Sequence, residues 1–433
     1  MSTAGPGAAD RGRAARDQAG PEGGDAARDR PGPHGGDAAR DRPGPEGGDA
    51  ARDQSGRDRG HAEGDKPRWD PLAGLRRDDP TAMDVFMSAT VFLDIVFTGL
   101  PAVPAAGTEV WATGMGSAPG GIANLAVGAA RLGLRTSLAA GFGDDAYGDF
   151  CWRTLRQEGV DLSRSQRFPG WHTPVTVSMA VDRDRSMVTH GHDLPVPVDE
   201  MVGVPPRSRA VVASLGDVNG GVELPGWARA ARDGGALVFA DVGWDPSGTW
   251  NQVLAEHLAG CHAFMPNAPE AMSYTHTGTP EAALRRIAGW VPLAVVTLGA
   301  EGAMAIDAST GEEERVPPLP IMALDPTGAG DVFGAGLVLG TIAGWPLRER
   351  LLLAGLCAGL AVQHFGGSLA APGWGDLVDW WRGTVERGAA GDPLARELAI
   401  RYGFLPDLLP SGPVSQVRRA HATLARYSDL DVT

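Results

Sequence analysis

Residues 325–340 read DPTGAGDVFGAGLVLG. Pro326 disfavours helix at the residue before it, Asp325, and Gly328, Ala329 and Gly330 then allow a tight backbone path into a helix. A helix that begins on small residues leaves several N–H groups unpaired and aimed at one spot, with the positive end of the helix dipole behind them. Such a place suits a phosphate, or the charge that develops as a phosphoryl group is transferred. Asp331 falls on the first turn, where its carboxylate could accept a proton from a hydroxyl. An ordinary Gly-rich loop with Asp331 as a favourable N-terminal carboxylate explains the same residues equally well.

Outward from this stretch the chain alternates short apolar strands with helices. Strands are expected at 210–215, 236–241, 263–266, 293–298 and 303–306, with helices such as Trp250–Leu258, Pro280–Ala288, Ala329–Ala343 and Leu347–Phe365. That rhythm predicts an α/β fold with a mainly parallel sheet and helices on both faces. Upstream, VFMSATVFLDIVF (85–97) reads as one strand buried on both faces. GGIANLAVGAARLG (120–133) reads as a helix ending on Gly133, a plausible C-cap, followed by a strand at 135–142 and a helix at 146–159. HTPVTVSMAVDRDRSMVTH (172–190) alternates as a half-exposed antiparallel pair would. The region 373–433 is expected to be a mostly helical extension in which Trp380 and Trp381 pack.

Composition removes several function classes. The 433 residues carry 38 Lys+Arg against 53 Asp+Glu, a formal charge of −15, which opposes a nucleic-acid partner or an anionic membrane. Lys66 is the only lysine. A P-loop, a protein-kinase fold and Schiff-base chemistry all require a lysine in the folded part. Cys151, Cys261 and Cys357 are far apart and give neither a disulfide framework nor a thiolate zinc site. No run of about 18 apolar residues is present for a membrane span, and no basic start followed by an apolar stretch is visible. A reducing, cytoplasmic setting is therefore expected. Residues 1–80 hold a twelve-residue repeat, GPEGGDAARDRP at 20–31, GPHGGDAARDRP at 32–43 and GPEGGDAARDQS at 44–55. With no large apolar side chain it cannot offset the entropy of ordering, and a disordered tail is expected.

The stretch 325–338 resembles the C-terminal signature of the ribokinase-like, or PfkB, family of carbohydrate kinases, and further landmarks of that family follow in order between residues 84 and 372. The resemblance implies a ribokinase-like three-layer sandwich at 83–372 with a small β lid drawn from about 98–118 and 168–192. It implies that Asp331 is the general base, with the amides of Gly328, Ala329 and Gly330 receiving the transferring phosphoryl group. Gly120, Gly121 and Asn124, similar to the family's N-terminal signature, would hold the acceptor. The spacing GGIAN is one residue shorter than the ribokinase form. Asp94 resembles the family's sugar-binding Asp, and Phe92 stands where true ribokinases have an Asn, which points away from ribose and towards a larger or more apolar acceptor. PNAPE (266–270) matches an Asn-x-x-Glu element, by which Asn267 and Glu270 would organise Mg²⁺, through its waters, and the ATP phosphates. The same pattern is also a helix N-cap with its partner. TLGAEG (297–302) resembles the nucleotide-side loop, with Thr297, Gly299 and Gly302 near ATP.

The implied reaction is ATP-dependent phosphorylation of a hydroxyl on a small sugar or sugar acid. A nucleoside kinase of the same fold is the alternative. A non-catalytic sugar or nucleotide sensor is a further one, and a nicotinamide dehydrogenase is opposed by the lack of GxGxxG after the first strand. A monovalent cation (K⁺) near the 365–367 turn and a homodimer are compatible with the resemblance. His190 and His192 have metal-ligand spacing but read more simply as an exposed strand end, and the acids of GDDAYG (143–148) read as loop structure.

Overall fold

Val85, Phe86 and Met87 are fully buried on a strand whose alternate side chains enter different cores: Val85 and Met87 join one apolar cluster and Phe86 the other. A strand covered by helices on both faces needs this uninterrupted apolar run. The computed structural model describes residues 70–79, 82–181, 184–215, 224–242, 248, 250 and 254–410, all within the unit Gly64–Thr433. The repeat tail, the end of the expected extension (411–433) and the start of the expected 250–258 helix at 251–253 lie outside the described residues.

In chain order the strands are β1 (Met83–Ser88), β2 (Val91–Thr98), β3 (Gly114–Gly121), β4 (Thr136–Ala139), β5 (Gly141–Gly143), β6 (Gln166–Phe168), β7 (Val175–Val181), β8 (Asp184–His190), β9 (Ser208–Ser214), β10 (Leu237–Asp241), β11 (Ala263–Phe264), β12 (Leu293–Thr297), β13 (Ala303–Asp307) and β14 (Glu312–Val316). The main sheet runs β14-β13-β12-β11-β10-β9-β1-β4. It is parallel from β12 to β4, and only the two pairings of β13, with β12 and with β14, are antiparallel. Helices Ile122–Arg131, Ala329–Ile342 and Leu347–Ala361 cover one face, and Gly226–Asp233, Ala268–Thr275 and Pro280–Ile287 the other. The result is a three-layer α/β sandwich, as the rhythm of the sequence predicts.

A second sheet, β3-β2-β7-β8, forms the lid. Here the sequence reading needs correction. The run 85–97 is not one strand: it breaks at Ala89–Thr90, and its second half, β2, leaves the main sheet to become a central lid strand paired with β3 and β7. Both halves are apolar because both are buried, so the pattern hid the change of sheet. The lid thus includes 91–98, while residues 99–113 between β2 and β3 form no strand. The expected strand 135–142 likewise divides into β4 and β5, and β6 pairs with β5 rather than with the lid. The helix after Pro346 ends at Ala361, short of Phe365.

The three helices after residue 373, Trp374–Ala389, Pro393–Arg401 and Leu405–Leu408, are not a separate body. Trp374, Leu377, Leu398, Tyr402 and Leu405 are buried in the same cluster as the helix that carries Asp331. The indole N–H of Trp374 donates to the Leu132 carbonyl at 2.9 Å, and Trp380 packs edge-on against Tyr402.

Candidate active site

The helix Ala329–Ile342 starts from Gly328, whose φ of 73° is left-handed. A side chain there would be strained and crowded, since a Cβ would lie 2.9 Å from Cγ of Asn124 and 3.2 Å from Cα of Gly367. Glycine is therefore required by both backbone and neighbours. The N–H of Ala329 is turned to the Pro326 carbonyl at 3.2 Å, so it is not one of the outward donors expected from the sequence. For the N–H groups of Gly328 and Gly330 no acceptor is found among the described residues. Gly330 is exposed, Gly328 buried and Asp331 half-buried on the same turn, a carboxylate beside two amides without an acceptor among the described residues at a helix N-terminus.

Asn124 lies in the first turn of Ile122–Arg131, which begins after Gly121 at φ 62°. Its amide Nδ2 donates to Oδ2 of Asp331 at 3.0 Å. Gly328 and Gly367 flank the same amide, and a Cβ on Gly367 would stand 2.6 Å from Asn124 Oδ1. Oδ1 is buried without a partner, an orphaned acceptor of the kind that a ligand or ordered water normally satisfies. Asn124, expected to hold the acceptor, thus also holds the carboxylate of Asp331.

Asp94 lies in the middle of β2, opposite Ala118. Its carboxylate lies over Gly120, where a Cβ would fall 1.8 Å from Oδ2. The ring of Phe92 lies over Gly121 in the same way, 2.7 Å from the Cβ position. The two glycines are the seats of a carboxylate and an aromatic ring.

Asn267 and Glu270 form a reciprocal capping box. The N–H of Glu270 donates to Asn267 Oδ1, and that of Asn267 to Glu270 Oε2, each at 3.0 Å. The structural reading of Asn-x-x-Glu is therefore realised, and a ligand role would come in addition to it. Asn267 and Thr297 form a parallel bridge between the ends of β11 and β12. Gly299 (φ 56°) and Gly302 (φ 96°) shape the turn that follows. Asp241, at the end of β10, completes the row. Burial pushes its carboxyl up to about 7, and the nearby charges of Asp331 and Glu270 act in the same direction. Asp94 and Gly120 are thus in contact on the lid side, and a chain of contacts and fields runs from Asn124 through Asp331, Asp241 and Glu270 to Asn267 and Thr297.

Two contributors escape the sequence reading. Asp241 ends an apolar strand on an acid, a visible signal. The hydroxyl of Ser368 donates to the carbonyl of Pro119 just before the Gly120–Gly121 pair, which no local pattern reveals. His190 and His192 are exposed with their rings in contact, and among the described residues no group of three His, Cys, Asp or Glu is disposed to hold a metal. Asp145 caps the helix Ala146–Gln157 by accepting from Gly148 N–H, so the acids of 143–148 act in the loop.

The sequence model of the pfkB family of carbohydrate kinases matches residues 97–373. A fructokinase from Klebsiella pneumoniae is 30% identical over 283 residues, covering 60% of this chain and 90% of that protein. Among solved structures, an Arabidopsis thaliana ribokinase complexed with ribose and ATP shares the fold with a TM-score of 0.53 at 21% identity, over 67% of this chain and 96% of that one. A Methanocaldococcus jannaschii nucleoside kinase does so with a TM-score of 0.55 at 20% identity, over 69% and 98%.

Proposed function

The chain belongs to the pfkB family of carbohydrate kinases, and from that premise we propose that the set of residues from Asp94 to Thr297 is the site where it phosphorylates a small carbohydrate. The enzyme is an ATP-dependent phosphotransferase. The observation that carries the site assignment is the Asn124–Asp331 hydrogen bond, which joins the acceptor side to the helix N-terminus. In the reading it supports, an acceptor hydroxyl gives its proton to the Asp331 carboxylate as its oxygen bonds to the γ-phosphorus. The bond from that phosphorus to the β–γ bridging oxygen breaks, and ADP leaves. The Gly328 and Gly330 amides face the charge that develops on the phosphoryl oxygens. Asp94, Gly120, Gly121 and Asn124 hold the acceptor, and Asn267, Thr297, Gly299 and Gly302 the nucleotide.

The donor set fits Mg²⁺. Asp241, Glu270 and Asp331 create a negative field without a ready-made cage among the described residues, which suits an ion that keeps its waters and uses phosphate oxygens. Asn267 and Glu270 would hold it through water, and when bound it neutralises phosphate charge. A monovalent cation also fits. Asp325 is buried without a cationic partner among the described residues and accepts only the N–H groups of Thr327 and Gly366, at 2.9 and 3.1 Å, while Thr327 Oγ1 is buried and unpartnered.

Two copies of the chain associating through the lid complete the proposal. Met115, Phe97 and Met179 align across the lid by register, and Val177 pairs with Val188, which is 62% exposed. A patch of this kind supports a self-complementary contact. The formal charge of −15 supports no nucleic-acid or membrane partner. Among the described residues no helix is long and apolar enough to cross a membrane, and a cytoplasmic location, in keeping with three free buried cysteines, belongs to the proposal. A nucleoside acceptor is the second reading, favoured by Phe92.

The test is ADP release with Mg·ATP across sugars, sugar acids and nucleosides, with and without K⁺. Asp331→Asn should lower turnover on the best acceptor by about 10²–10⁴. Near-normal turnover in that variant would remove Asp331 from the role.

A further inference from the structure

We propose that the helices after residue 373 brace the nucleotide side of the site, and that Arg401 is the positioning residue through which they act. This rests on the reading of Thr297, Gly299 and Gly302 as the nucleotide loop. The brace lies outside the family match, which stops at residue 373.

The need for it is written in residues 317–324, PPLPIMAL, which join β14 to the turn that opens the Asp331 helix. They form neither helix nor strand. Three of the first four are proline, with no N–H to donate, so a strand ladder cannot hold the backbone there. Packing holds it instead. Pro317 and Pro318 lie against Gly302 of the nucleotide loop, where a Cβ would stand 2.9 Å from the Pro317 carbonyl carbon and 3.0 Å from the Pro318 nitrogen. The buried Leu319 side chain sits over Gly359, whose Cβ would meet it at 2.9 Å. At the far end the N–H groups of Leu324 and Asp325 both donate to the Val362 carbonyl, at 2.7 and 3.1 Å. The segment thus touches the nucleotide loop at one end and leads into the Gly328 turn at the other.

Helix Pro393–Arg401 reaches this segment with its last residue. Arg401 Nη1 donates to the Pro318 carbonyl at 3.2 Å. Among the described residues this is the only hydrogen bond found to the backbone carbonyls of 317–323. The guanidinium is itself fixed: its side chain is 14% exposed, and Nη2 pairs with Glu397 one turn back at 2.7 Å. The next residue, Tyr402, is buried against Trp380. A fixed donor at that one carbonyl narrows the arrangements open to the proline-rich segment, and with them those of the loop at Gly302. Without it a nucleotide binds only the fraction of molecules whose loop is in place, which weakens binding and leaves the bond-making step alone. Loss of the guanidinium strands no buried charge, because Glu397 is largely exposed.

The experiment uses the full chain, with Mg·ADP binding measured by calorimetry and turnover by ADP release. Arg401→Met should weaken Mg·ADP binding about three- to tenfold and raise KM for Mg·ATP in step, with kcat within about twofold of the parent. Arg401→Lys, which keeps one charged donor for the Pro318 carbonyl, should recover most of the loss. Arg396→Met breaks the 2.8 Å bond from Arg396 Nε to the Gly388 carbonyl within the same helices. It should lower the melting temperature yet keep Mg·ADP binding within about twofold of the parent. Unchanged Mg·ADP binding in Arg401→Met, no recovery in Arg401→Lys, or an equal loss in Arg396→Met would overturn the proposal. Hydrogen exchange on the parent protein separates this from the reading beneath it, because Mg·ADP should slow exchange in peptides spanning 295–303. No slowing there would remove the nucleotide reading of the loop and the proposal with it, whereas slowing there with normal binding in Arg401→Met would sink the brace alone.

Discussion

Asp241 shows how one residue can report on the whole site. It ends β10 with a carboxyl raised from 3.8 to about 7, first by burial and then by Asp331 and Glu270. A raised carboxyl pKa means that the ionised form is disfavoured in the fold and relieved on unfolding. Its penalty is present in full above about pH 7, diminishes as the folded carboxyl takes up its proton, and disappears below 3.8. Asp241→Asn should therefore raise the melting temperature of the metal-free protein at pH 8 and much less at pH 5. Thermal scans at the two pH values check this, and an equal gain at both would show that the field of the site is not the cause. Asp241 was legible as an acid at a strand end, but its importance comes from Asp331 and Glu270, which lie on other elements. The place of Asp331 was legible because it is set locally: a carboxylate on the first turn of a Gly-initiated helix.

Elements explain which parts of the reading failed. The N-terminus of Ala329–Ile342 was readable because proline and glycine dictate a backbone path by themselves. The division of 85–97 was not, because neither Ala89 nor Thr90 punctuates the chain and the strands on either side are equally buried. The strand β14 was hidden by its charges, EEERV, which suit an edge strand open to water. Within the Asp331 helix, two glycines separate fold from chemistry. Gly328→Ala forces a side chain into left-handed backbone against Asn124, and should destabilise the protein by about 1–3 kcal/mol as well as lower turnover. At Gly330 a Cβ meets nothing within 4 Å. Gly330→Ala should leave stability unchanged or raise it by up to about 1 kcal/mol, yet weaken use of ATP, because the new methyl sits where the phosphoryl group must approach. Denaturant unfolding and kcat/KM for ATP, measured on both variants, distinguish the positions. Unimpaired kinetics in Gly330→Ala would move the phosphoryl group elsewhere.

At the scale of the whole molecule, buried ionic groups tie segments together, and most could not be read from sequence because the partners are far apart in the chain. Asp84 binds Arg76 and Arg209 at the start of β1, and Asp307 binds Arg350 at 3.0 Å. Arg131 is the most consequential of these. Fully buried, it makes a two-pronged pair with Glu158 at 2.9 and 3.0 Å and also donates to the carbonyls of Leu369 and Ala371. It therefore fixes the turn that brings Gly367 against Asn124, and through Asn124 the carboxylate of Asp331. Arg131→Met would strand the Glu158 charge and two carbonyls, a loss of about 3–5 kcal/mol. Adding Glu158→Leu removes the stranded charge and should recover part of that loss, but it cannot satisfy the carbonyls or restore the turn. The double variant should accordingly unfold at a higher denaturant concentration than the single one while its turnover stays low. Recovery of turnover in step with stability would mean that the turn holds its place without Arg131, and that the pair serves the core alone.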